Sequence, residues 1–393
     1  MDWVKFVEFN KRIKQMRLKP KVLLLHSTVS PYRLPLFEAV AKKEDLMVYY
    51  CEYKPMRRKW HVPLNEYTFQ NRILRCIKLG PFMINPTLPF ILLFRRYDVY
   101  ILGEDQRIFF SKIITFLIAK IFKKPVILWV GSADDNYYEK YKKMVDRYFL
   151  RPISKFYYRF ADAFIAYGEK TRKYLLGVGI PVEKIYMGTQ AICEKQLMKN
   201  TVDGLDNEPF FDGKKVILCI SYFDRRKGID DLIEAYKRID RNDTVLIIAG
   251  AGGEEERLRL IASNRKDIVF PGYLEHRKQA YYSLADIFVL PTHSDAWGLT
   301  VNEAMMFGVP VITTDQAGCS QELIDGNGFV IRSGDMVKLK EVLEKLLNDD
   351  DLRHEMGARS KEIIRKYTIE NARKTFISAI SHALNIKADK RRI

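Results

Sequence analysis

The sequence is poor in the features that mark disulfide-stapled, zinc-binding or membrane-spanning proteins. Its five cysteines have neither metal-like nor redox-like spacing, and its six histidines are not spaced for zinc. Reduced thiols are therefore the simple interpretation. No apolar run reaches the roughly 20 residues of a spanning helix, because residues 83–94 contain two prolines and residues 109–130 contain four lysines. The start also lacks the apolar core of a signal peptide, so we expect a cytoplasmic protein.

Acidic residues are scarce in the first half of the chain. Residues 1–200 contain 37 Lys and Arg against 18 Asp and Glu, and the second half is nearly balanced. This asymmetry indicates an anionic partner for the first half, such as an acidic membrane surface, nucleic acid or an anionic substrate. Residues 1–20 form a basic amphipathic pattern that suits the surface of an anionic bilayer. Packing of that segment on its own domain explains the pattern equally well. The basic loop at 54–60 is a further candidate for membrane contact.

Two series of apolar, β-branched segments alternate with helical patterns. The predicted strands are residues 22–25, 47–50, 99–102, 126–130 and 163–166, then 216–220, 245–249, 268–270, 287–290 and 311–313. Near-continuous apolar strands between helices indicate parallel sheets covered on both faces, and 393 residues exceed the usual size of one core. The sequence therefore predicts an α/β protein with two doubly wound, Rossmann-like domains that face each other across a cleft.

The polar, turn-rich stretch before residue 216 divides the two series. We place the first domain at residues 1–195, a linker at 196–215, the second domain at 216–368 and a C-terminal helix at 369–393. We expect that helix to pack back on the first domain. In such sheets ligands bind beyond the carboxyl ends of the strands, so the cleft is the expected active site.

Residues 291–314 follow a predicted strand and lead into a helix. Gly298, Leu299 and Thr300 stand at the helix start, where unpaired amide groups and the helix dipole favour a phosphate. Asp295 precedes the helix and Glu303 lies eight residues later. Carboxylates accept hydrogen bonds from sugar hydroxyls, so this combination suits a ligand with both phosphate and hydroxyl groups. Taken alone, Asp295 also fits the N-cap of the helix.

The same segment resembles the donor-site signature of retaining glycosyltransferases of family 4, which have the GT-B fold. That signature has an acidic residue, seven others and a glutamate, followed by Ala-Met, a Gly-x-Pro-Val-Ile run and a further Gly and Glu. Here the acidic pair is Asp295 and Glu303, the Gly-Val-Pro-Val-Ile run is at 308–312, and the later glycines and glutamate fall within 318–328. The match is specific because all of these parts occur in order.

The resemblance implies a role for each matched residue. Glu303 would bind the ribose hydroxyls of the nucleotide, the amides at 298–300 would hold the diphosphate, and Asp295 would contact the transferred sugar near the reacting carbon. The family usually has glutamate at the position of Asp295. The shorter aspartate withdraws the carboxylate by a methylene group, which fits a different sugar.

A second motif of the resemblance follows the first strand of the second domain. Lys227, in the run Asp-Arg-Arg-Lys-Gly, would neutralise the departing diphosphate. This electrostatic stabilisation would remove the need for a metal or any other cofactor. The family's usual Gly-Arg is Ser221-Tyr222 here, and either Arg225 or Arg226 would supply the missing guanidinium.

Weaker matches complete the candidate site. Gly250 belongs to a Gly-x-Gly turn, and Tyr273 and Leu274 fall where the family binds the nucleobase. An ordinary core or surface tyrosine is the equal alternative for Tyr273. On the acceptor side, Tyr32 and Arg33 belong to a Pro-Tyr-Arg loop. Many members have a histidine after the middle strand of the first domain, and here Asp134 or Asp135 would take its place.

The resemblance implies an enzyme that moves a sugar from a nucleoside diphosphate sugar, with UDP or GDP as the carrier, to an acceptor hydroxyl. A lipid-linked or polysaccharide acceptor is expected, in the assembly of cell-surface polysaccharide, lipopolysaccharide or glycolipid at the inner face of the membrane. A non-catalytic nucleotide-sugar-binding or scaffold protein of the same fold is the alternative. A nucleic-acid partner is suggested by charge alone, and the sequence contains no recognisable nucleic-acid-binding module.

Overall fold

The computed structural model describes residues 19–53, 60, 62, 64–80, 82–103, 105–131, 151–188, 190–198, 213–263, 265–274 and 277–389. Several sequence-based expectations fall outside these residues. They are the amphipathic segment up to residue 18, the basic loop at 54–59, Asp134 and Asp135, and the predicted linker from 199 to 212.

The first domain is built on a parallel sheet. Its strands are β1 (Lys21–Thr28), β2 (Asp45–Glu52), β3 (Gln70–Ile73), β4 (Ile77–Leu79), β5 (Phe82–Ile84), β6 (Val99–Gly103), β7 (Val126–Val130), β8 (Ala163–Ala166) and β9 (Ile185–Met187). Seven of them pair in the order β3-β2-β1-β6-β7-β8-β9, and β4 and β5 form an antiparallel hairpin. The order reverses beside β1, which is the point where ligands bind in doubly wound sheets.

Helices cover both faces of this sheet. They are α1 (Leu34–Ala41), α2 (Leu88–Phe94), α3 (Phe109–Ile121), α4 (Arg151–Phe160), α5 (Glu169–Gly177) and α6 (Glu194–Leu197). Residues of α2, α3 and α4 share one buried cluster with the sheet, and α1 contributes to the cluster on the opposite face.

The second domain repeats the plan with a six-stranded parallel sheet in the order β12-β11-β10-β13-β14-β15. Its strands are β10 (Lys215–Ile220), β11 (Thr244–Ala249), β12 (Ile268–Gly272), β13 (Ile287–Leu290), β14 (Val311–Thr314) and β15 (Gly328–Ile331). Its helices are α7 (Ile229–Lys237), α8 (Glu255–Ile261), α9 (Lys278–Leu284), α10 (Leu299–Met306), α11 (Ser320–Leu323), α12 (Met336–Asn348) and α13 (Asp350–Ile364).

The predicted α/β class and the two Rossmann-like sheets are confirmed. The predicted apolar strands form the centres of both sheets, because a strand with helices on both faces is buried along its whole length, as β11 and β13 are. The sequence analysis missed β3 and β9 at the edges of the first sheet and β15 at an edge of the second. These are short strands with partly exposed side chains, so they lack the continuous apolar pattern.

The last helix, α14 (Ile369–Asp389), leaves the second domain and lies on the first sheet. Its buried side chains recur at helical spacing and join the cluster of β1, β7 and α1. Phe376 is fully buried there, and its ring centroid lies 5.0 Å from that of Trp129 on β7. Among the described residues, no helix is both long and apolar enough to cross a membrane.

The packing of α14 predicts the cost of truncating Phe376. Phe376→Ala leaves a cavity beside Trp129 and should lower the free energy of unfolding by about 3–5 kcal/mol, measured by urea denaturation followed by tryptophan fluorescence. Phe94→Ala is the matched control, because Phe94 is 87% exposed. Equal stability of the two variants would contradict this account of the helix.

Candidate functional site

A cavity of about 400 Å³ lies between the carboxyl ends of the two sheets. This volume is typical of a small-molecule site. Most of the residues predicted from the sequence converge on it. Tyr32 and Arg33 come from the first domain, and Gly250, Tyr273, Leu274, Asp295, Gly298, Leu299, Thr300 and Glu303 come from the second.

The start of α10 forms one wall of this cavity. Gly298 is its N-cap residue with φ 102°, and a Cβ atom at that position would lie 2.7 Å from the side chain of Leu290. Glycine is therefore required here for both its conformation and its size. Asp295 lies three residues before the N-cap, so the N-cap interpretation of Asp295 is wrong. The first amides of α10 lack intrahelical acceptors and line the cavity, where they can bind an anion.

Asp295 forms a buried ion pair with Lys227, which is not itself among the residues that line this cavity. Lys227 Nζ lies 2.5 Å from Asp295 Oδ2, and the two side chains are only 14% and 19% exposed. The amide of Trp297 donates a hydrogen bond of 3.1 Å to Asp295 Oδ1. Burial raises the pKa of Asp295, but Lys227 and the Trp297 amide outweigh burial, and the net pKa is lowered. The aspartate is therefore ionised at neutral pH.

The turn that carries Lys227 also directs the side chains of Arg225 and Arg226 to different surroundings. Arg226 lines a second cavity of about 360 Å³ beside the first, and its side chain pairs with Asp224. Arg225 is 66% exposed and pairs with Glu254 instead. Of the two arginines between which the sequence left the choice open, Arg226 therefore lines the cleft and Arg225 does not. The carbonyl of Arg226 accepts a hydrogen bond of 2.7 Å from the amide of His293, which fixes this turn to the loop before α10.

Two residues that the sequence analysis missed hold Glu303. Lys278 Nζ lies 3.2 Å from both carboxylate oxygens, and the hydroxyl of Tyr282 donates a hydrogen bond of 2.7 Å to Oε2. Burial, together with the Glu303 charge, raises the pKa of Tyr282 far above its usual range, so Tyr282 stays a donor. Lys278 and Tyr282 are four residues apart in α9 and share one helix face, but this spacing alone does not point to Glu303.

A buried hydrogen-bonded chain crosses from one domain to the other. The Arg33 guanidinium donates a hydrogen bond of 2.9 Å to Gln190 Oε1. The side-chain amide of Asn302 donates one of 3.1 Å to the backbone carbonyl of Gln190, and the indole of Trp297 donates one of 2.8 Å to Asn302 Oδ1. Arg33 also stacks on Trp129, with 4.6 Å between the guanidinium carbon and the ring centroid. The sequence analysis found Arg33 but not the other members of this chain.

The second cavity has a polar lining drawn from both domains. His26, Asp105 and Arg107 come from the first domain, and Tyr222 and Arg226 come from the second. Burial and then the charge of Arg33 lower the pKa of His26 to about 4. The imidazole is therefore neutral at pH 7 and donates from Nδ1 to the carbonyl of Thr28 at 2.8 Å.

The domains also touch at the start of α5. The amide of Glu169 donates to the buried carboxylate of Glu322, and Lys173 Nζ lies 2.9 Å from Gln321 Oε1. A Cβ atom on Gly168 would overlap the Glu322 carboxylate and would lie 2.5 Å from the Trp297 ring. Gly168 therefore permits the close approach of the two domains for steric reasons.

Asp230, Asp231 and His293 place one possible metal-ligand atom each within 4.8 Å of one another. Asp230 pairs with Arg257 at 3.0 Å, and His293 contacts Ser333 Oγ at 2.7 Å and Asp231 at 3.4 Å. These groups therefore already engage protein partners, and they lie outside the lining of both cavities.

The contact at Gly168 predicts that Gly168→Ala opens the cleft. The added methyl group displaces Glu322 and Trp297, so small-angle X-ray scattering should give a larger radius of gyration than for the wild type. Gly177→Ala, at the other end of α5, is the matched control because a Cβ atom there meets nothing within 4 Å. An unchanged radius of gyration for Gly168→Ala would contradict this role.

The lowered pKa of His26 predicts a pH dependence of stability. The unfolded chain protonates this residue near its ordinary value of 6.5, whereas the folded protein does so only near pH 4. The free energy of unfolding therefore falls as the pH is lowered through this window.

His26→Gln should reduce the acid-induced loss of unfolding free energy by on the order of 3 kcal/mol. Urea denaturation at several pH values between 6.5 and 4 measures this loss. The same substitution at the exposed His354 controls for the general loss of a histidine. An unchanged slope in His26→Gln would contradict the assignment.

Comparison with known proteins finds relatives among the glycosyltransferases. Residues 205–363 match the family described as glycosyl transferases group 1. A mannosyltransferase of Corynebacterium glutamicum, described as GDP-mannose-dependent and acting on a monoacylated phosphatidylinositol monomannoside, is 36% identical over 160 residues. The capsular polysaccharide glycosyltransferase CapM of Staphylococcus aureus is 31% identical over 188 residues. The matches cover 38% and 46% of this chain, and the chain spans 42% and 46% of the length of these two relatives.

Solved structures match nearly the whole chain. Sucrose-phosphate synthase from Thermosynechococcus elongatus has a TM-score of 0.69 at 18% identity, and the match covers 95% of this chain and 98% of the synthase chain. Anabaena HepE in complex with UDP has a TM-score of 0.71 at 15% identity, and the match covers 92% of this chain and 99% of the HepE chain. At these identities the likeness establishes the fold. The match to the group 1 glycosyltransferase family falls on the second domain, and the chain as a whole has the GT-B fold.

Proposed function

We propose that this protein is a retaining glycosyltransferase that moves a sugar from a nucleoside diphosphate sugar to an acceptor hydroxyl. The observation that carries the proposal is the meeting, in one cleft, of a helix start, two carboxylates and several cations. The start of α10, Asp295, Glu303 and Arg33 line the larger cavity, and Lys227 pairs with Asp295.

The donor fits the larger cavity by its chemistry. Glu303, held by Lys278 and Tyr282, would accept hydrogen bonds from the ribose hydroxyls, and Tyr273 and Leu274 would flank the base. The amides at the start of α10, with Lys227 and Arg226, would hold the diphosphate. One relative named above is described as GDP-mannose-dependent and another as a glycosyltransferase of capsular polysaccharide biosynthesis. HepE, a neighbour of known structure, was solved in complex with UDP. UDP and GDP are therefore the carriers to test first.

The reaction would use the diphosphate as both leaving group and base. The bond from the anomeric carbon to the diphosphate oxygen breaks, and a bond from that carbon to the acceptor oxygen forms on the same face. The acceptor proton passes to an oxygen of the departing phosphate. Lys227, Arg226 and the α10 amides would stabilise the charge that develops there, and no metal is needed for this. Asp295 would contact the sugar and orient Lys227.

The acceptor would enter through the smaller cavity, where Tyr32 and Arg33 meet His26, Asp105 and Arg107. Its polar lining suits a hydroxyl-rich acceptor. We propose a lipid-linked or polysaccharide acceptor at the inner face of the cell membrane, as in the assembly of cell-surface polysaccharide, lipopolysaccharide or glycolipid.

The two neighbouring arginines provide a matched test of the donor site. UDP, GDP, ADP and dTDP are titrated against the purified protein, with the thermal midpoint as the readout. Arg226→Ala should weaken binding of the stabilising diphosphate by about 10- to 100-fold, because a charge-assisted hydrogen bond is lost. Arg225→Ala should bind as the wild type does, since Arg225 pairs with Glu254.

Glu303→Gln tests the ribose contact, with Glu255→Gln in the first turn of α8 as the matched control. Release of nucleoside diphosphate from the matching nucleotide sugar then tests catalysis. A wild-type protein that binds none of the diphosphates would contradict the donor site. Tight binding without turnover on lipid-linked or polysaccharide acceptors would instead favour a non-catalytic nucleotide-sugar-binding protein.

A further inference from the structure

Helix α3 exposes an apolar stripe on the outside of the first domain. Phe110, Leu117 and Ile121 lie along one side of the helix and are exposed, and Ile121 is 73% exposed. The polar side chains of Ser111 and Thr115 are buried on the opposite side. The buried side of α3 also carries apolar residues, among them Phe116 and Ile118, so the helix is apolar nearly all round. A surface helix normally has polar residues on its outer side. The outward stripe of α3 therefore calls for a partner.

Neighbouring elements extend the stripe into one face. Phe90, Leu93 and Phe94 of α2 are exposed, and so are Phe156 and Phe160 of α4 and Ile77 and Leu79 of β4. The Arg96 guanidinium lies 4.4 Å from the centroid of the Phe122 ring, which joins the end of α2 to the end of α3. The ring centroids of Phe82 and Phe110 are 5.3 Å apart and connect the β4–β5 hairpin to α3. Those of Phe116 and Tyr157 are 5.8 Å apart and connect α3 to α4. We call these exposed side chains of α2, α3, α4 and β4 the apolar face.

Basic residues predominate in the helical segments that carry the apolar face. Residues 86–96 and 106–124 contain seven Lys and Arg and no Asp or Glu. Arg95, Arg96 and Lys123 are exposed beside Phe94 and Ile121. The nearby acids, Asp98 and Asp162, already pair with Lys124 at 2.9 Å and Lys120 at 2.7 Å.

We propose that the apolar face docks on an anionic lipid bilayer. Exposed phenylalanine and branched aliphatic side chains next to arginine and lysine match the interface of such a bilayer, where apolar groups enter the acyl boundary and cations meet headgroup phosphates. A second copy of the chain would bring the same cations against themselves, which disfavours self-association through this face.

The position of α3 relates the apolar face to the cleft. The helix begins directly after the turn Gln106–Ile108, beside Asp105 and Arg107 of the smaller cavity. Its 13 residues run away from the cleft for about 20 Å. A bilayer lying along α3 therefore passes the mouth of the smaller cavity. On the proposed function, a lipid-linked acceptor reaches that cavity while its lipid stays in the membrane.

Flotation with vesicles tests the docking face without any substrate. The full chain is mixed with phosphatidylcholine vesicles that either contain or lack phosphatidylglycerol. The wild type should float with the anionic vesicles and less with the neutral ones, and salt should weaken the binding. The double variant Phe94→Glu/Ile121→Glu should lower partitioning by more than about tenfold.

Leu260→Glu is the matched control, because Leu260 on α8 of the second domain is also 73% exposed. It should float as the wild type does. Failure of the wild type to bind anionic vesicles, or equal flotation of the double variant, overturns the proposal. A wild-type dimer that the double variant makes monomeric, measured by light scattering, also overturns it and assigns the face to a second copy.

Thermal stabilisation by nucleoside diphosphates, measured without vesicles, separates the two proposals. A double variant that no longer floats but is still stabilised by nucleotide is folded. Its defect then lies in membrane docking alone and leaves the donor site intact. Retained flotation of a wild type that no nucleotide stabilises would overturn the donor site and leave the membrane face standing.

Discussion

The buried chain from Trp297 through Asn302 and Gln190 to Arg33 fixes the geometry on which the site depends. Each of these polar groups would be costly to bury without its partner. The chain therefore favours one placement of α10 relative to the first sheet. Helix α10 carries Glu303 and the candidate phosphate-binding amides. Its placement therefore sets the distance between these groups and Arg33, which also lines the cavity. Helix α14 adds a second tie by packing Phe376 under Trp129.

Four cations at or beside the cleft pair with carboxylates of the protein. Lys227 pairs with Asp295, Lys278 with Glu303, Arg226 with Asp224 and Arg107 with Asp105. Pairing offsets the cost of holding charged groups in a half-buried site. On the proposed function, a diphosphate sugar exchanges partners with these pairs, its phosphates taking the cations and its hydroxyls taking the carboxylates. On that proposal the same residues serve both the stability of the cleft and the recognition of the donor.

Much of the fold was predictable from local pattern, because central parallel strands are buried on both faces and read as apolar runs, as β7 and β13 do. Edge strands such as β3 face solvent and lack that pattern. In the site, the segment from Asp295 to Glu303 was predictable because a strand, a glycine turn and a helix are consecutive in sequence. Lys278 and Tyr282 were not, since nothing local ties them to Glu303. Likewise, only packing decides that Arg226 faces the cleft and Arg225 faces solvent.

The sequence by itself determined the two α/β domains, the donor-type motif and the basic first half. These follow from residue order, periodicity and charge, which need no distant contacts. Tertiary structure decided which side chains share the cleft, which cations are paired, how Gly168 lets the domains approach, and that α3 turns its apolar stripe outward. Those properties depend on contacts between residues far apart in the chain, such as Gln190 with Asn302 and Gly168 with Glu322, and local sequence carries no record of such distances.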